Sequence, residues 1–237
     1  MKASIDSIET MGLVDGPGIR CVVFFNGCKL RCKYCHNPEM WQIKDYNYTP
    51  KELLDKILRC KPYFGKDGGV TFSGGEPLLH SKFIIEISKL LKKEDINIAL
   101  DTAGVGNHDY EEILKYIDLV ILDIKHTEKD LYKQITGGNI EEQDKFIEEL
   151  NKSNKPVWIR QVVIPGIMDN DNYLNSLNNY LKKIKNIKKI EFLPYHKLGR
   201  EKYISLHIPY PYENIKEMNK DKCLKLYNKF MDKYKKS

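Results

Sequence analysis

Residues 20–35 read RCVVFFNGCKLRCKYC, and this stretch decides the fold. The run CVVFF is apolar throughout and β-branched or aromatic after Cys21, the composition of a strand buried on both faces. It passes through Asn26 and Gly27 directly into CKLRCKYC, where Cys28, Cys32 and Cys35 fall within eight residues. A buried strand that delivers a group of ligands just past its carboxyl end belongs to α/β folds, whose chemistry collects along that edge of a parallel sheet.

Outward from this stretch, five more apolar runs read as strands, at 69–72, 97–101, 119–124, 157–163 and 189–193. Amphipathic stretches at 51–60, 81–93, 110–117, 140–152 and 172–185 lie between or beside them, with a last helix expected over 214–234. Thr49 followed by Pro50 is an N-cap and first-turn pair. Six strand–helix alternations predict a parallel sheet with helical crossovers. Six strands leave open a barrel that eight would close, so the expected fold is α/β, a partial (β/α)6 TIM-like barrel. One domain over 1–237 is expected, with a core of about 15–200 and a C-terminal extension of about 201–237.

Every expected strand carries unusual residues at or beyond its carboxyl end. They are the cysteine loop, Ser73-Gly74-Gly75-Glu76-Pro77, Asp101-Thr102-Ala103-Gly104, Asp123-Ile124-Lys125-His126, Arg160 with Pro165-Gly166, and Pro194-Tyr195-His196. Capping loops alone would account for some of these; their recurrence on all six strands predicts one shared active face.

CxxxCxxC supplies soft thiolates, which suit zinc or an iron–sulfur cluster. A structural zinc takes four ligands, and the nearest fourth, His36, adjoins Cys35 too closely to turn easily onto the same ion. Three thiolates on a 4Fe-4S cluster leave one iron open, as a catalytic metal site requires; a structural zinc module stays as the alternative. Cys21, Cys60 and Cys223 read as buried structural thiols. The N-terminus is polar and no apolar run approaches a membrane span, so a cytoplasmic protein with no membrane partner is expected. The net charge of +6 comes with lysine-rich segments in the last third but no aromatic–basic motif, so no nucleic-acid partner is expected. A monomer is expected.

CxxxCxxC with Tyr34 before the last cysteine, followed by GGEP at residues 74–77, resembles the radical S-adenosylmethionine superfamily, whose core this fold would be. DGPGIR at 15–20, GCKLRCKYCHNP at 27–38, SGGEPL, LDTAG, LDIKH, VWIRQVVIPG and LPYHKLG narrow the resemblance to activating enzymes of glycyl radical enzymes, those of pyruvate formate-lyase above all. Ala103 departs from the asparagine common in that family. Extra ferredoxin-like cysteine clusters found in some activases are absent, since only Cys60 lies between Cys35 and GGEP. An activase of another glycyl radical enzyme is the remaining alternative.

The resemblance implies one 4Fe-4S cluster on Cys28, Cys32 and Cys35 and reductive cleavage of S-adenosylmethionine. The 5′-deoxyadenosyl radical then takes hydrogen from a backbone glycine of the partner under anaerobic conditions. It implies flavodoxin or ferredoxin as electron donor. Tyr34, Cys35, His36, Gly74, Gly75, Glu76, Asp123, Ile124, Lys125 and His196 would bind S-adenosylmethionine: Glu76 on its ammonium, Lys125 and His196 on its carboxylate. Asp101, Thr102 and Asp123 are hard oxygen ligands that fit either a cation or a hydrogen-bonded network; the resemblance implies a monovalent cation there, with Ile121 assisting. Asp15, Gly16 and Arg160 would hold the partner's glycine loop.

Overall fold

The computed structural model describes residues 1–235 and contains a seven-stranded sheet ordered as in the chain. Its strands are β1 (Ile5–Gly12), β2 (Arg20–Phe25), β3 (Gly69–Gly74), β4 (Asn97–Thr102), β5 (Leu119–Asp123), β6 (Val157–Val163) and β7 (Ile187–Pro194). β2 to β7 run parallel, in register from Arg20 opposite Gly69 to Val163 opposite Pro194. β1 and β7 form the two ends of the sheet and do not pair, so the barrel is partial.

The six strands read from sequence are all present, within two residues at each end. β1 is additional and corrects the strand count: it lies antiparallel to β2 at the edge. Asp6, Ser7, Glu9 and Thr10 face solvent, so the strand has no apolar run to betray it. A polar edge also discourages pairing with other chains.

Eight α-helices cover the described residues: α1 (Pro50–Leu58), α2 (Ser81–Lys93), α3 (Tyr110–Leu114), α4 (Lys129–Thr136), α5 (Ile140–Ser153), α6 (Asp171–Leu181), α7 (Arg200–Ser205) and α8 (Lys220–Tyr234). Thr49 caps α1 in a reciprocal capping box with Glu52, fixing the crossover from β2 to β3. The last helix starts at Lys220 rather than near 214, because the Asn219 side chain accepts from the Lys222 N–H and sets the cap there. α4 and α7 are short and were not expected.

Strand alternation divides the interior. Ile98 and Leu100 of β4 join the large core beneath the helices, whereas Ala99 packs with Leu119 and Ile121 against Trp158 on the opposite face. The carboxyl ends of β2 to β7 open together onto one cavity.

Candidate active site

The cavity encloses about 800 Å³ and takes lining from the carboxyl end of each parallel strand. Volumes of this order accommodate small organic ligands. The wall carries Cys28, Cys32 and Cys35 after β2, Ser73 to Gly75 at β3, and Asp101 to Ala103 at β4. Asp123 and Lys125 come from β5, Arg160 from β6, and Tyr195 and His196 follow β7.

The cysteine loop is shaped by its backbone. The Cys35 N–H donates to the Cys32 carbonyl (3.0 Å), and the Arg31 and Lys33 amides donate to Thr136 and Ile135 at the end of α4. Burial pushes the Cys28 thiol up to about 12, with the Glu76 charge adding to it. Burial also pushes Cys32 up to about 12, against the pull of Lys125, and raises Cys35. Thiols in this setting keep their protons at neutral pH until a metal displaces them. All six cysteines are free. Among the described residues, no three His, Cys, Asp or Glu side chains converge on a point that would hold a single metal ion. The three thiols instead line a broad cavity, a donor set that fits a cluster with one open iron better than a closed tetrahedron.

Gly74 and Gly75 allow the β3 loop to press against β2. At Gly74, φ is +114° and a Cβ would lie 2.3 Å from the Phe25 nitrogen; at Gly75 it would lie 2.3 Å from the Gly27 carbonyl oxygen. Only glycine tolerates both demands. Glu76, expected at the ligand's ammonium, is buried away from the cavity lining. Its carboxyl accepts from the Leu78 and Ala103 amides (3.1 and 2.9 Å) and from the Thr102 hydroxyl, locking the β3 turn onto β4. Burial pushes it up to about 7 despite those donors.

Lys125 donates to Asp123 at 2.7 Å and stands 5.7 Å from the centre of the Tyr34 ring. Burial opposes its charge, but Asp123, Tyr34 and Cys32 together hold it above the ordinary lysine range. The Tyr34 hydroxyl is buried without a partner among the described residues. His196 stacks on His36, ring centres 4.2 Å apart, and the two bring β7 to the cysteine loop. Burial and then the His196 charge depress His36. Ile124 is buried beside this wall, and its N–H donates to the Arg160 carbonyl.

Asp101 accepts from Ser73 (2.9 Å) and pairs with Arg160 (3.3 Å). Thr102 is occupied with Glu76 and the Gly104 amide, while Ile121 sits in the core, opposite Asp101 across β4 and β5. Arg160 also approaches Asp15 (3.8 Å) and Glu191 (3.4 Å) and donates to the Val14 carbonyl. It therefore joins the loop before β2 to β4 and β7. Gly16 packs on Arg20, where a Cβ would meet its side chain at 2.7 Å.

Several wall residues went unread in the sequence. Trp41 lies six residues past Cys35, outside the motif; Glu217, Met218 and Lys220 come from the C-terminal extension. Lys202 of α7 ties that extension to the cysteine loop through Asn37 (2.7 Å) and Glu39.

Comparison with known proteins gives this geometry a family. Residues 22–177 match the model of the radical SAM superfamily. The chain is similar to a pyruvate formate-lyase-activating enzyme of Clostridium pasteurianum, at 52% identity over 224 residues, 94% of each chain. The chain belongs to the radical SAM superfamily, among the pyruvate formate-lyase-activating enzymes. It is 41% identical over 225 residues to such an enzyme from Staphylococcus epidermidis, covering 91% of this chain and 90% of that one. Among solved structures, SuiB of Streptococcus suis bound to precursor peptide SuiA superposes with a TM-score of 0.65 at 19% identity, over 87% of this chain and 43% of that one. A domain of a pyruvate-formate lyase-activating enzyme from Bacteroides vulgatus gives 0.54 at 22%, over 69% and 94%. At such identities the likeness is one of fold.

Proposed function

We propose that this chain cleaves S-adenosylmethionine at a 4Fe-4S cluster and activates pyruvate formate-lyase by removing hydrogen from a backbone glycine. The observation that carries the reading is the single cavity in which three cysteines meet Lys125 and His196 at the carboxyl ends of six parallel strands. Family membership supplies the chemistry: cluster and S-adenosylmethionine together furnish an electron and a carbon-centred radical.

The chain's own residues bind and orient. Cys28, Cys32 and Cys35 hold the cluster and leave its fourth iron accessible. Lys125, kept cationic by Asp123, faces the ligand's carboxylate, with His196 beside it. Gly74 and Gly75 let the ligand approach backbone, and Glu76 serves by fixing that turn. Tyr34 and His36 wall the adenosyl group. Asp101, Thr102 and Asp123, with Ile121, provide the oxygen-rich corner assigned to a monovalent cation. Arg160 and Asp15 act as one unit with Gly16 at the mouth, holding the partner's glycine loop. A flavodoxin or ferredoxin delivers the electron to a monomeric, cytoplasmic enzyme; among the described residues no helix is long and apolar enough to cross a membrane.

The test is an anaerobic assay of the reconstituted protein with purified pyruvate formate-lyase, reading the glycyl radical by electron paramagnetic resonance. Radical formation that depends on S-adenosylmethionine is expected. Release of 5′-deoxyadenosine with no radical on this partner, but radical on another glycyl radical enzyme, would reassign the partner.

A further inference from the structure

The segment CKLRCKYC alternates. Leu30, Cys32 and Tyr34 are buried and line the cavity, whereas Lys29, Arg31 and Lys33 lie outside the lining, the first two exposed and the third half-buried. A strand-like period of two produces this division. The loop is therefore a thin wall with thiols on its inner side and cations on its outer side. The Arg31 and Lys33 amides donate to the Thr136 and Ile135 carbonyls (2.7 and 2.9 Å), acceptors that the end of α4 would otherwise leave free. Lys133, exposed on that same last turn of α4, adds a cation next to the loop. Lys29 is engaged: it donates to the Gly106 carbonyl (2.9 Å) and lies 4.0 Å from Glu142. Arg31 is held by neutral acceptors, the Cys28 and Leu30 carbonyls (2.6 and 2.8 Å). The carboxylates nearby serve other groups: Glu141 pairs with Lys129 (2.6 Å) and Glu39 with Lys202. Glu128 and Asp130, at the start of α4, pair with neither Lys33 nor Lys133. Among the described residues, no ion pair neutralises Arg31, Lys33 or Lys133.

We propose that this outer face, built on Arg31, Lys33 and Lys133, is where an acidic electron-carrier protein docks to reduce the cluster. The proposal deepens the reading that Cys28, Cys32 and Cys35 hold an iron–sulfur cluster, and it rests on that reading. The inner side of the wall faces the small-molecule ligand, and the mouth, with Asp15 and Arg160, faces the partner's glycine loop. A carrier entering by the mouth would compete with that loop. From outside, the cysteine loop itself is what separates the carrier from the thiols. One electron leaves the reduced carrier and enters the cluster, with no bond made or broken. Unpaired cations on an exposed face attract a surface of opposite charge and raise association rates by about 10- to 1,000-fold at low salt. Rim charges of this kind act on encounter more than on affinity, which suits a contact that forms and breaks at every turnover.

The experiment reads the rate of cluster reduction, not turnover. Reconstituted protein is mixed anaerobically with flavodoxin hydroquinone in a stopped-flow spectrometer, and the second-order rate is followed against ionic strength. Photoreduced deazaflavin, a small reductant that needs no docking face, gives the reference rate. Lys33→Glu/Lys133→Glu should slow reduction by flavodoxin about tenfold or more at low salt, with the gap closing as salt approaches about 0.5 M. Its deazaflavin rate and its iron and sulfide content should match wild type. Lys33→Gln/Lys133→Gln should slow flavodoxin in the same direction by less, and it decides the matter if charge reversal lowers cluster uptake. Arg31 is left in place because it holds the Cys28 carbonyl. Lys185→Glu/Lys188→Glu makes the same change of charge on exposed lysines at the amino end of β7, and should cost less than about twofold. Equal slowing by the two Glu pairs would make the effect one of net charge and overturn the proposal. So would a flavodoxin rate equal to wild type in Lys33→Glu/Lys133→Glu and Lys33→Gln/Lys133→Gln, or equal slowing with both reductants, which would place the lysines on the potential of the cluster. Wild-type protein that takes up no iron and sulfide overturns the cluster reading itself, and with it this proposal.

Discussion

Arg20 stands at the amino ends of the parallel strands and Arg160 near their carboxyl ends, and the two are buried with different company. Arg20 is fully buried and donates to neutral acceptors: the Thr71 hydroxyl (2.7 Å), the Asn97 amide oxygen (3.1 Å) and the carbonyls of Val70, Pro17, Asp67 and Asn97. Burial lowers its pKa to about 10, although Asp118 and Asp15 pull upward. Arg160 suffers the same desolvation, but Asp101, Asp123, Asp15 and Glu191 more than offset it, and its pKa is raised. Neutral acceptors make Arg20 a rivet through three strands. Carboxylates make Arg160 part of a charge array in which a change at one member is felt by the others. The amino end fixes the architecture, and the carboxyl end gathers paired charge along the cavity wall.

The largest effects should separate the two ends. Cys32→Ala should abolish cluster uptake, as should Cys28→Ala and Cys35→Ala, while urea unfolding of the apoprotein changes little. Cys60→Ala and Cys223→Ala should keep the full cluster. Iron and sulfide analysis decides, and full cluster content in Cys32→Ala would refute the ligand assignment. Arg20→Ala should do the reverse. It strands several buried acceptors, so it should lower unfolding free energy by roughly 3–5 kcal/mol. Whatever fraction remains folded should still bind iron and sulfide; loss of cluster without loss of stability would erase the distinction between the ends. Lys125→Ala comes next. A charge-assisted hydrogen bond is worth roughly 1.5–3 kcal/mol, so S-adenosylmethionine should bind about tenfold to a hundredfold more weakly. Anaerobic equilibrium dialysis measures it, and unchanged affinity would remove Lys125 from the ligand's carboxylate.

The carboxyl end was the legible end. Its chemistry follows directly on apolar runs, so a strand and its terminal residues are read in one glance, as with CVVFF and CKLRCKYC. The amino end was not. Arg20 belongs to DGPGIR, yet its clamp depends on Asn97, 77 residues further on, and no local pattern announces such a partner. β1 escaped because an edge strand with a wet face has no buried run. α7 escaped because six residues without a side-chain cap give almost no periodic signal. Glu76 shows a different limit. A carboxylate in a motif invites a ligand, but only the fold reveals that three protein donors already claim it.

The smallest expected effect is the sharpest test of the contrast between the arginines. Burial pushes Asp101 up to about 6 from an ordinary 3.8, against the pull of Arg160, and burial raises Asp15 as well. A carboxyl whose folded value exceeds its unfolded one binds its proton more tightly in the native state. The stability it contributes is therefore fully present below about 3.8 and is lost as pH rises through about 6. Arg160→Gln removes a charge that lowers both acids, so each should titrate higher and the loss should continue into the neutral range. The deficit of Arg160→Gln against wild type, from urea unfolding of apoprotein between about pH 5 and pH 8, should grow with pH. Arg20→Gln, whose direct acceptors are neutral and whose charge lowers Asp15 but not Asp101, should show a larger deficit that grows less with pH over the same range. If the Arg160→Gln deficit is equally flat, then Asp101 does not sense Arg160, and the carboxyl end is as rigidly architectural as the amino end.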